Sequence, residues 1–235
     1  MRFLGSRKMS FLAYMAAAAA LRSVPVLGGS LKWYETFCHE ISHGLAALLT
    51  GGMAGPLAIH PDGSGQMLVR GGWGAVIAFA GYAGAVAWGC LIYRTASAAG
   101  PLAARRTALA MAAGCCIAGL CWVPLRDPVT AGIVALIGGS MLLLASGAAP
   151  LLARPALRLV GASVMVTAMA TPTYVLHTGS AHNDAWALSQ MLMLPPVFWV
   201  GAWLAWGAAC IGLTWRAECA ADRRASAAPI RRRRT

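Results

Sequence analysis

Acidic side chains are scarce in this sequence, which has seven aspartates and glutamates against nineteen lysines and arginines in 235 residues. Charged residues of all kinds make up only 11% of the chain, and hydrophobic residues make up 59%. In soluble domains about a quarter of the residues are charged. The composition therefore excludes an ordinary soluble domain and indicates a membrane protein.

Paired cysteines are missing as well, since the seven cysteines form no C-x-x-C motif. Cys38 adjoins His39, but neighbouring helical residues point to different faces, so we do not predict it as a metal ligand. Most of the others lie in apolar runs, where cysteine behaves as a small hydrophobic residue. We interpret the following five as core residues: Cys90, Cys115, Cys116, Cys121 and Cys210.

Long runs without any charged residue fill much of the chain: residues 71–93, 107–125, 128–153, 159–183 and 185–215. A helix needs roughly 20 such residues to cross the hydrocarbon core. Residues 9–21 form a further apolar run behind Arg7 and Lys8. No clean cleavage site follows it, so we interpret it as a retained span rather than a signal peptide. The sequence predicts an all-α polytopic membrane protein with about six or seven transmembrane helices.

Positive charge is concentrated at the C-terminus, in Arg223, Arg224 and residues 231–234, and the net charge is +12. Such a tail could bind nucleic acid or anionic lipid. Beside an apolar helix, a cytoplasmic anchor on anionic lipid is the better interpretation. We therefore expect the lipid bilayer, and no nucleic acid, as a partner.

The most specific motif is His39-Glu40-Ile41-Ser42-His43, which has the H-E-x-x-H pattern. Residues four apart stand on one face of a helix, one turn from each other. Two imidazoles in this arrangement can bind one zinc ion, and the intervening Glu40 can accept a proton from water. Gly51 and Gly52 then indicate the end of the helix.

A turn cluster follows at residues 61–65, between the short extended runs 57–60 and 66–70. The pattern predicts a β-hairpin over residues 57–70. Its edge could hold an extended substrate by strand addition, or it could be a simple surface connector. We interpret His60 as a surface residue of this hairpin.

A catalytic zinc site usually has three protein ligands and one open position, so the two histidines need a third partner. Asp184 alone among the four aspartates lies in a polar island between long apolar segments. It could also be the N-cap of a helix that begins at Ala185. His182 and His177 are rival third ligands, and Asn183 could orient a ligand or donate to an oxyanion.

These features resemble the site-2 protease family of intramembrane zinc metalloproteases, in particular its compact bacterial branch without a PDZ domain. The resemblance rests mainly on residues 37–52, which contain the H-E-x-x-H motif, and more weakly on residues 61–65, 80–82 and 183–185. One departure is Ala185, because better-known members carry glycine after the third ligand.

The resemblance implies a Zn²⁺ cofactor bound by His39, His43 and Asp184, with Glu40 as catalytic base. It also implies one membrane domain over residues 1–216 that hydrolyses peptide bonds of membrane protein substrates. We expect residues 217–235 to form a basic tail without regular structure, on the cytoplasmic side of a bacterial membrane. The alternative is a non-catalytic transporter or assembly factor that uses the histidines and aspartate for metal or protons.

The positive-inside rule places the segment around residues 177–184 on the outer side, whereas His39 lies in a span that starts from the inner side. Asp184 can then meet His39 only if residues 178–194 form a re-entrant half-helix. Alternatively, the first half of the chain has the opposite orientation. Both arrangements remain open at this point.

Overall fold

The computed structural model describes residues 6–98, 101–148, 150–178 and 183–232. These residues form eight helices and one two-stranded hairpin between the second and third helices. The helices are α1 (Arg7–Leu21), α2 (Pro25–Leu49), α3 (Gly74–Ser97), α4 (Pro101–Trp122), α5 (Pro128–Ser146), α6 (Pro150–Thr178), α7 (Asp184–Leu192) and α8 (Pro196–Arg232). The strands are β1 (Met53–Ile59) and β2 (Gly65–Arg70).

Proline marks the start of five of these helices: α2, α4, α5, α6 and α8. Proline suits the first turn because its missing N–H would have no partner there and its φ angle is already helical. At α5 the side chain of Asp127 adds an N-cap, since it accepts a hydrogen bond from the backbone N–H of Thr130 at 3.0 Å. The prolines therefore divide the apolar sequence into separate helices.

Five helices in the described part of the chain are long and apolar enough to cross a membrane: α3, α4, α5, α6 and α8. A sixth span is possible if α1 and α2, which meet at a bend of 114°, are counted together. The predicted helical membrane fold with a short hairpin is thus confirmed. The bend follows from the three-residue break at residues 22–24.

The uncharged run at residues 185–215 is not one helix, because it contains α7 and the first part of α8. Met193 ends α7 in the left-handed region at φ 56°. Leu194 precedes Pro195, and a residue before proline is disfavoured in helical geometry. At nine residues, α7 is about 14 Å long at 1.5 Å per residue, so it has the length of the half-helix that one of the two predicted arrangements requires.

The centre of the bundle is formed by α3, which packs against both α2 and α6. The backbones of α3 and α6 approach closely at Gly89 and Gly161. A Cβ atom on Gly89 would lie 2.9 Å from the Gly161 carbonyl oxygen, so only glycine fits there. Small residues commonly permit such contacts between membrane helices.

The hairpin is confirmed, and β1 begins four residues earlier than predicted. Its strands are antiparallel, with Leu57 opposite Met67 and Ile59 opposite Gly65. Asp62 Oδ1 accepts hydrogen bonds from the backbone N–H and hydroxyl of Ser64 at 2.8 and 2.7 Å. The backbone N–H above all holds the pKa of Asp62 below its usual range.

The hairpin is anchored to the bundle on two sides. The hydroxyl of Thr36 on α2 donates to the Gly63 carbonyl oxygen at 2.7 Å. On the other side, the backbone N–H of Ile59 donates to Thr130 Oγ1 of α5 at 3.0 Å. The hairpin tip is thereby fixed between two helices.

Arginines from α1, α4 and α6 meet at one end of the bundle. Arg7 donates to the carbonyl oxygen of Ser97, Arg158 donates to the hydroxyl of the same residue at 3.0 Å, and Arg105 donates to the Ala145 carbonyl oxygen at 2.8 Å. They join α1 and α6 to the end of α3, and α4 to α5. That this end is cytoplasmic stays a prediction.

Where we expected a tail without regular structure from residue 217, the structure continues α8 to Arg232. Contacts with the start of α1 hold this extension. Asp222 accepts from the Ser6 hydroxyl at 2.6 Å and from the backbone N–H groups of Arg7 and Lys8, and Glu218 pairs with Arg7 at 3.7 Å. The segment is also rich in alanine and arginine, both good helix formers. The division into a domain over 1–216 and a tail stays a prediction.

Two of the cysteines predicted to be core residues, Cys116 and Cys121 on α4, are exposed on the bundle surface, whereas Cys90 and Cys115 are buried. In a membrane protein an apolar residue need not face the protein core, because lipid is as apolar as the core. Apolar sequence alone therefore does not predict burial here.

Candidate metal centre

The middle of α2 carries the three residues of the H-E-x-x-H motif on one side of the helix. The Nε2 atoms of His39 and His43 are 3.0 Å apart. Glu40 and His43 are buried, and His39 is nearly so. The helical spacing predicted from the sequence therefore brings the two imidazole nitrogens to one point.

Helix α3 approaches these histidines at Gly81, which has room for no side chain. A Cβ atom there would lie 2.6 Å from Nε2 of both His39 and His43. The next residue, Tyr82, is buried and packs edge-on against His39, with ring centroids 4.4 Å apart. Gly81 and Tyr82 thus confine the two imidazoles from the α3 side.

Asp184 completes the cluster from the first position of α7. Its Oδ2 lies 3.0 Å from His39 Nε2 and 3.3 Å from His43 Nε2. The alternative interpretation of Asp184 as an N-cap is wrong, because Asn183 has that role: its side-chain oxygen accepts from the Trp186 backbone N–H at 2.9 Å. By capping α7, Asn183 orients the aspartate that follows it.

The ring of His43 has a defined orientation. Its Nδ1 lies 2.7 Å from the backbone carbonyl oxygen of Ile77 on α3. A carbonyl oxygen can only accept, so Nδ1 carries the hydrogen and Nε2 keeps its lone pair directed at the cluster. Hydrogen bonds of this kind commonly fix the tautomer of a metal-binding histidine.

Glu40 contacts the hairpin. Its carboxylate lies beside the backbone N–H of Met67 on β2. A Cβ atom on Gly65, two residues earlier, would lie 2.9 Å from Glu40 Oε1. In an antiparallel pair the backbone groups of alternate residues point away from the partner strand. The outer edge of β2 at Met67 therefore faces Glu40.

The donor set fits a zinc ion. Within the part of the chain that the structure describes, His39, His43 and Asp184 form the one group of metal-ligating residues whose donor atoms all lie within 4.8 Å of one another. Zinc bonds of 2.0–2.2 Å in a tetrahedral site separate neighbouring ligand atoms by roughly 3.3–3.6 Å. The observed separations of 3.0–3.3 Å are close to that range.

The comparison with protein families agrees with this geometry. A profile of the Peptidase M50B-like family matches residues 11–214. The chain belongs to this family, which is the site-2 protease family. No curated protein and no solved structure matches the chain.

Other residues that the sequence analysis considered in this site-2 protease family member lie outside the donor cluster or outside the described residues. His60 is exposed at the hairpin turn, as predicted, and Cys38 is buried away from the donor cluster. Both rival third ligands stay untested, because His182 and the side chain of His177 lie outside the described residues. The ligand roles of His39, His43 and Asp184, and the catalytic role of Glu40, stay predictions.

Sequence reasoning missed several groups of this site. The carbonyl oxygen of Ile77 and the N–H of Met67 are backbone groups, so no residue type marks them. Tyr82 lies in residues 80–82, which supported the family resemblance weakly and were given no role in the site. The one available signal was Gly81 itself, since a glycine inside a membrane helix indicates close approach of another element.

Proposed function

We propose that this protein is a membrane-embedded zinc metalloendopeptidase that hydrolyses peptide bonds of membrane-associated protein substrates. The observation that carries the proposal is the convergence of three donor atoms from α2 and α7, with Glu40 next to them on α2. Membership of a peptidase family supports it independently. The assignment of zinc follows from the His₂-carboxylate donor set.

His39, His43 and Asp184 would hold the zinc ion, which supplies a Lewis acid that acidifies water and polarises the scissile carbonyl. The Ile77 carbonyl keeps the His43 lone pair directed at this point. Asn183 holds the start of α7, and with it Asp184, against the two imidazoles. The protein's own contribution is therefore to preorganise the three donors.

Glu40 acts as the general base. It accepts a proton from the attacking water and delivers that proton to the amine nitrogen of the departing peptide. The Met67 N–H lies beside this carboxylate and favours its charged form. Burial of Glu40 keeps bulk water away from the proton transfer.

We further propose that the substrate lies along β2 as an added strand. A helical substrate must first unwind, because its carbonyl groups are engaged in its own hydrogen bonds. In the described part of the chain β2 pairs with β1 alone, and its other edge faces Glu40 at Met67. Backbone pairing there would hold an extended peptide beside the base.

The test is metal content and proteolysis of detergent-purified protein. We expect about one zinc per chain in the wild type, and its loss in His43→Ala and Asp184→Ala, because a removed ligand leaves only two. His60→Ala is the matched histidine control and should keep the metal. No zinc in folded wild-type protein would contradict the proposal and favour a non-catalytic membrane protein.

Glu40→Gln separates catalysis from metal binding. The variant should keep the fold and the zinc but lose about 10²–10⁴-fold in hydrolysis of a membrane protein substrate, because it cannot accept a proton. Full activity in this variant would exclude Glu40 as the base.

A further inference from the structure

The face of α2 that points away from the metal centre borders a cavity of about 580 Å³. On α2 it is lined by Phe37, Ile41 and Leu45. At 100° per residue these positions lie on the opposite side of the helix from His39 and His43. The cavity is therefore a separate feature from the proposed active site, and we call it the α2–α4 groove.

The α2–α4 groove is long, narrow and open to the membrane. Along α4 its lining extends from Arg106 to Trp122, a length of about 24 Å at 1.5 Å per residue. Residues along its rim are well exposed: Leu45 by 36%, Leu91 by 50% and Ile117 by 58%. Since α2, α3 and α4 belong to a membrane bundle, this opening faces lipid.

The groove is too small to enclose a helix. A helix is roughly 10–12 Å across with its side chains, so the same length would need on the order of 2,000 Å³. The observed volume of about 580 Å³ falls instead in the 300–1,000 Å³ range of small-ligand sites. A single extended hydrocarbon chain has the required shape.

One end of the groove carries a positive charge. Arg106 lines that end, and it forms no hydrogen bond or ion pair with any residue that the structure describes. Its neighbour Arg105, in contrast, donates to the Ala145 carbonyl oxygen. A guanidinium without a protein partner next to an apolar groove complements an anionic headgroup attached to an acyl chain.

We propose that the α2–α4 groove binds one molecule of an anionic phospholipid. One acyl chain lies between α2, α3 and α4, and the phosphate pairs with Arg106. The lipid fills the space behind the helix that carries His39, Glu40 and His43. It is thus a site-bound lipid rather than part of the bulk bilayer.

Gly114 provides a way to block the groove without disturbing the fold. It lines the groove, and a Cβ atom built there meets nothing within 4 Å. Gly114→Leu should fill part of the space. Gly132→Leu on α5 is the matched control, because Gly132 is exposed, has equally open surroundings and lies outside the groove.

The experiment is native mass spectrometry of full-length protein released from nanodiscs that contain phosphatidylglycerol or phosphatidylcholine. We expect one retained phosphatidylglycerol per chain. Gly114→Leu should reduce its retention on the order of tenfold, since excluding even two methylene groups has that effect. Gly132→Leu should retain lipid like the wild type.

A second variant tests the headgroup. Arg106→Gln should reduce the preference for phosphatidylglycerol over phosphatidylcholine by about fivefold, as expected for one cationic group beside a lipid phosphate. Arg70→Gln, an exposed arginine on the hairpin, is its control. Equal lipid retention by Gly114→Leu and the wild type, or an unchanged preference in Arg106→Gln, would overturn the proposal.

Discussion

The two faces of α2 pack in opposite ways. On the face with His39 and His43, the neighbouring helix comes so close that Gly81 leaves no room for a methyl group. On the face with Phe37 and Ile41, α4 stands off and leaves the α2–α4 groove of about 580 Å³. The same helix is thus tightly held on one side and loosely held on the other.

The difference shows what each face requires. Metal donors must be held to a fraction of an ångström, and close packing with oriented hydrogen bonds provides that precision. The opposite face carries only apolar side chains, for which lipid is as good a neighbour as protein. Tight contact is therefore found where polar groups need positioning.

The close packing on the face of α2 that carries the histidines is tested most directly at Gly81. Gly81→Ala would place a methyl group 2.6 Å from both imidazoles, so we expect zinc affinity to fall at least 10–100-fold, as when a metal ligand loses its orienting partners. Proteolytic activity should fall with it. Zinc titration of the purified variant measures the effect, with Gly132→Ala as a control that should bind like the wild type. Unchanged zinc affinity in Gly81→Ala would refute the account of this face.

A smaller effect on activity is expected from a substitution at Gly65, where β2 contacts the face of α2 that carries Glu40. A methyl group there would lie 2.5 Å from Thr36 Cγ2 and 2.9 Å from Glu40 Oε1, so it would displace both side chains. Gly65→Ala should keep its zinc but lose about tenfold or more in turnover, because general-base catalysis depends on position. Parallel zinc and proteolysis assays would show the separation. Loss of zinc together with activity would instead mean that the hairpin supports the histidines.

The smallest of these effects concerns stability. Thr36→Val removes the hydroxyl that donates to Gly63 and leaves that carbonyl oxygen without this donor, at a cost of about 1–3 kcal/mol. We expect the melting temperature in detergent to fall by roughly 2–4 °C for each kcal/mol. Thr171→Val is the control, since Thr171 bonds only to Thr167 within its own helix. Equal effects of both substitutions would show that the hairpin tip is not anchored through Thr36.

Local sequence was enough to predict the α2 motif and the hairpin. The spacing of His39 and His43 places both on one face in any α-helix, whatever surrounds it. Likewise, Asp62 and Gly63 favour a turn through local hydrogen bonds and a positive φ angle, and Gly63 has φ 78°. These features depend on residues only a few positions apart.

The position of Asp184 was harder to predict, because 141 residues separate it from His43 and no local rule links them. The sequence left it open whether Asp184 caps a helix or faces the histidines. In the structure Asn183 is the cap, and α7 is short enough to bring the next residue into the bundle. The sequence left a half-helix before Pro195 and Pro196 as one of two open arrangements, and in the structure α7 ends just before these prolines.

Composition, uncharged runs and the H-E-x-x-H spacing were thus sufficient to establish a helical membrane protein with a candidate zinc site. These features reflect local conformational preferences, which act over one or two turns of a helix. Contacts between distant segments decide the remaining features: which third residue joins the histidines, where the edge of β2 faces, and which side of α2 is left open. Those contacts depend on how closely two helices can approach each other. Glycines such as Gly81 and Gly89 permit the close approach, but their effect exists only when the helices are packed together.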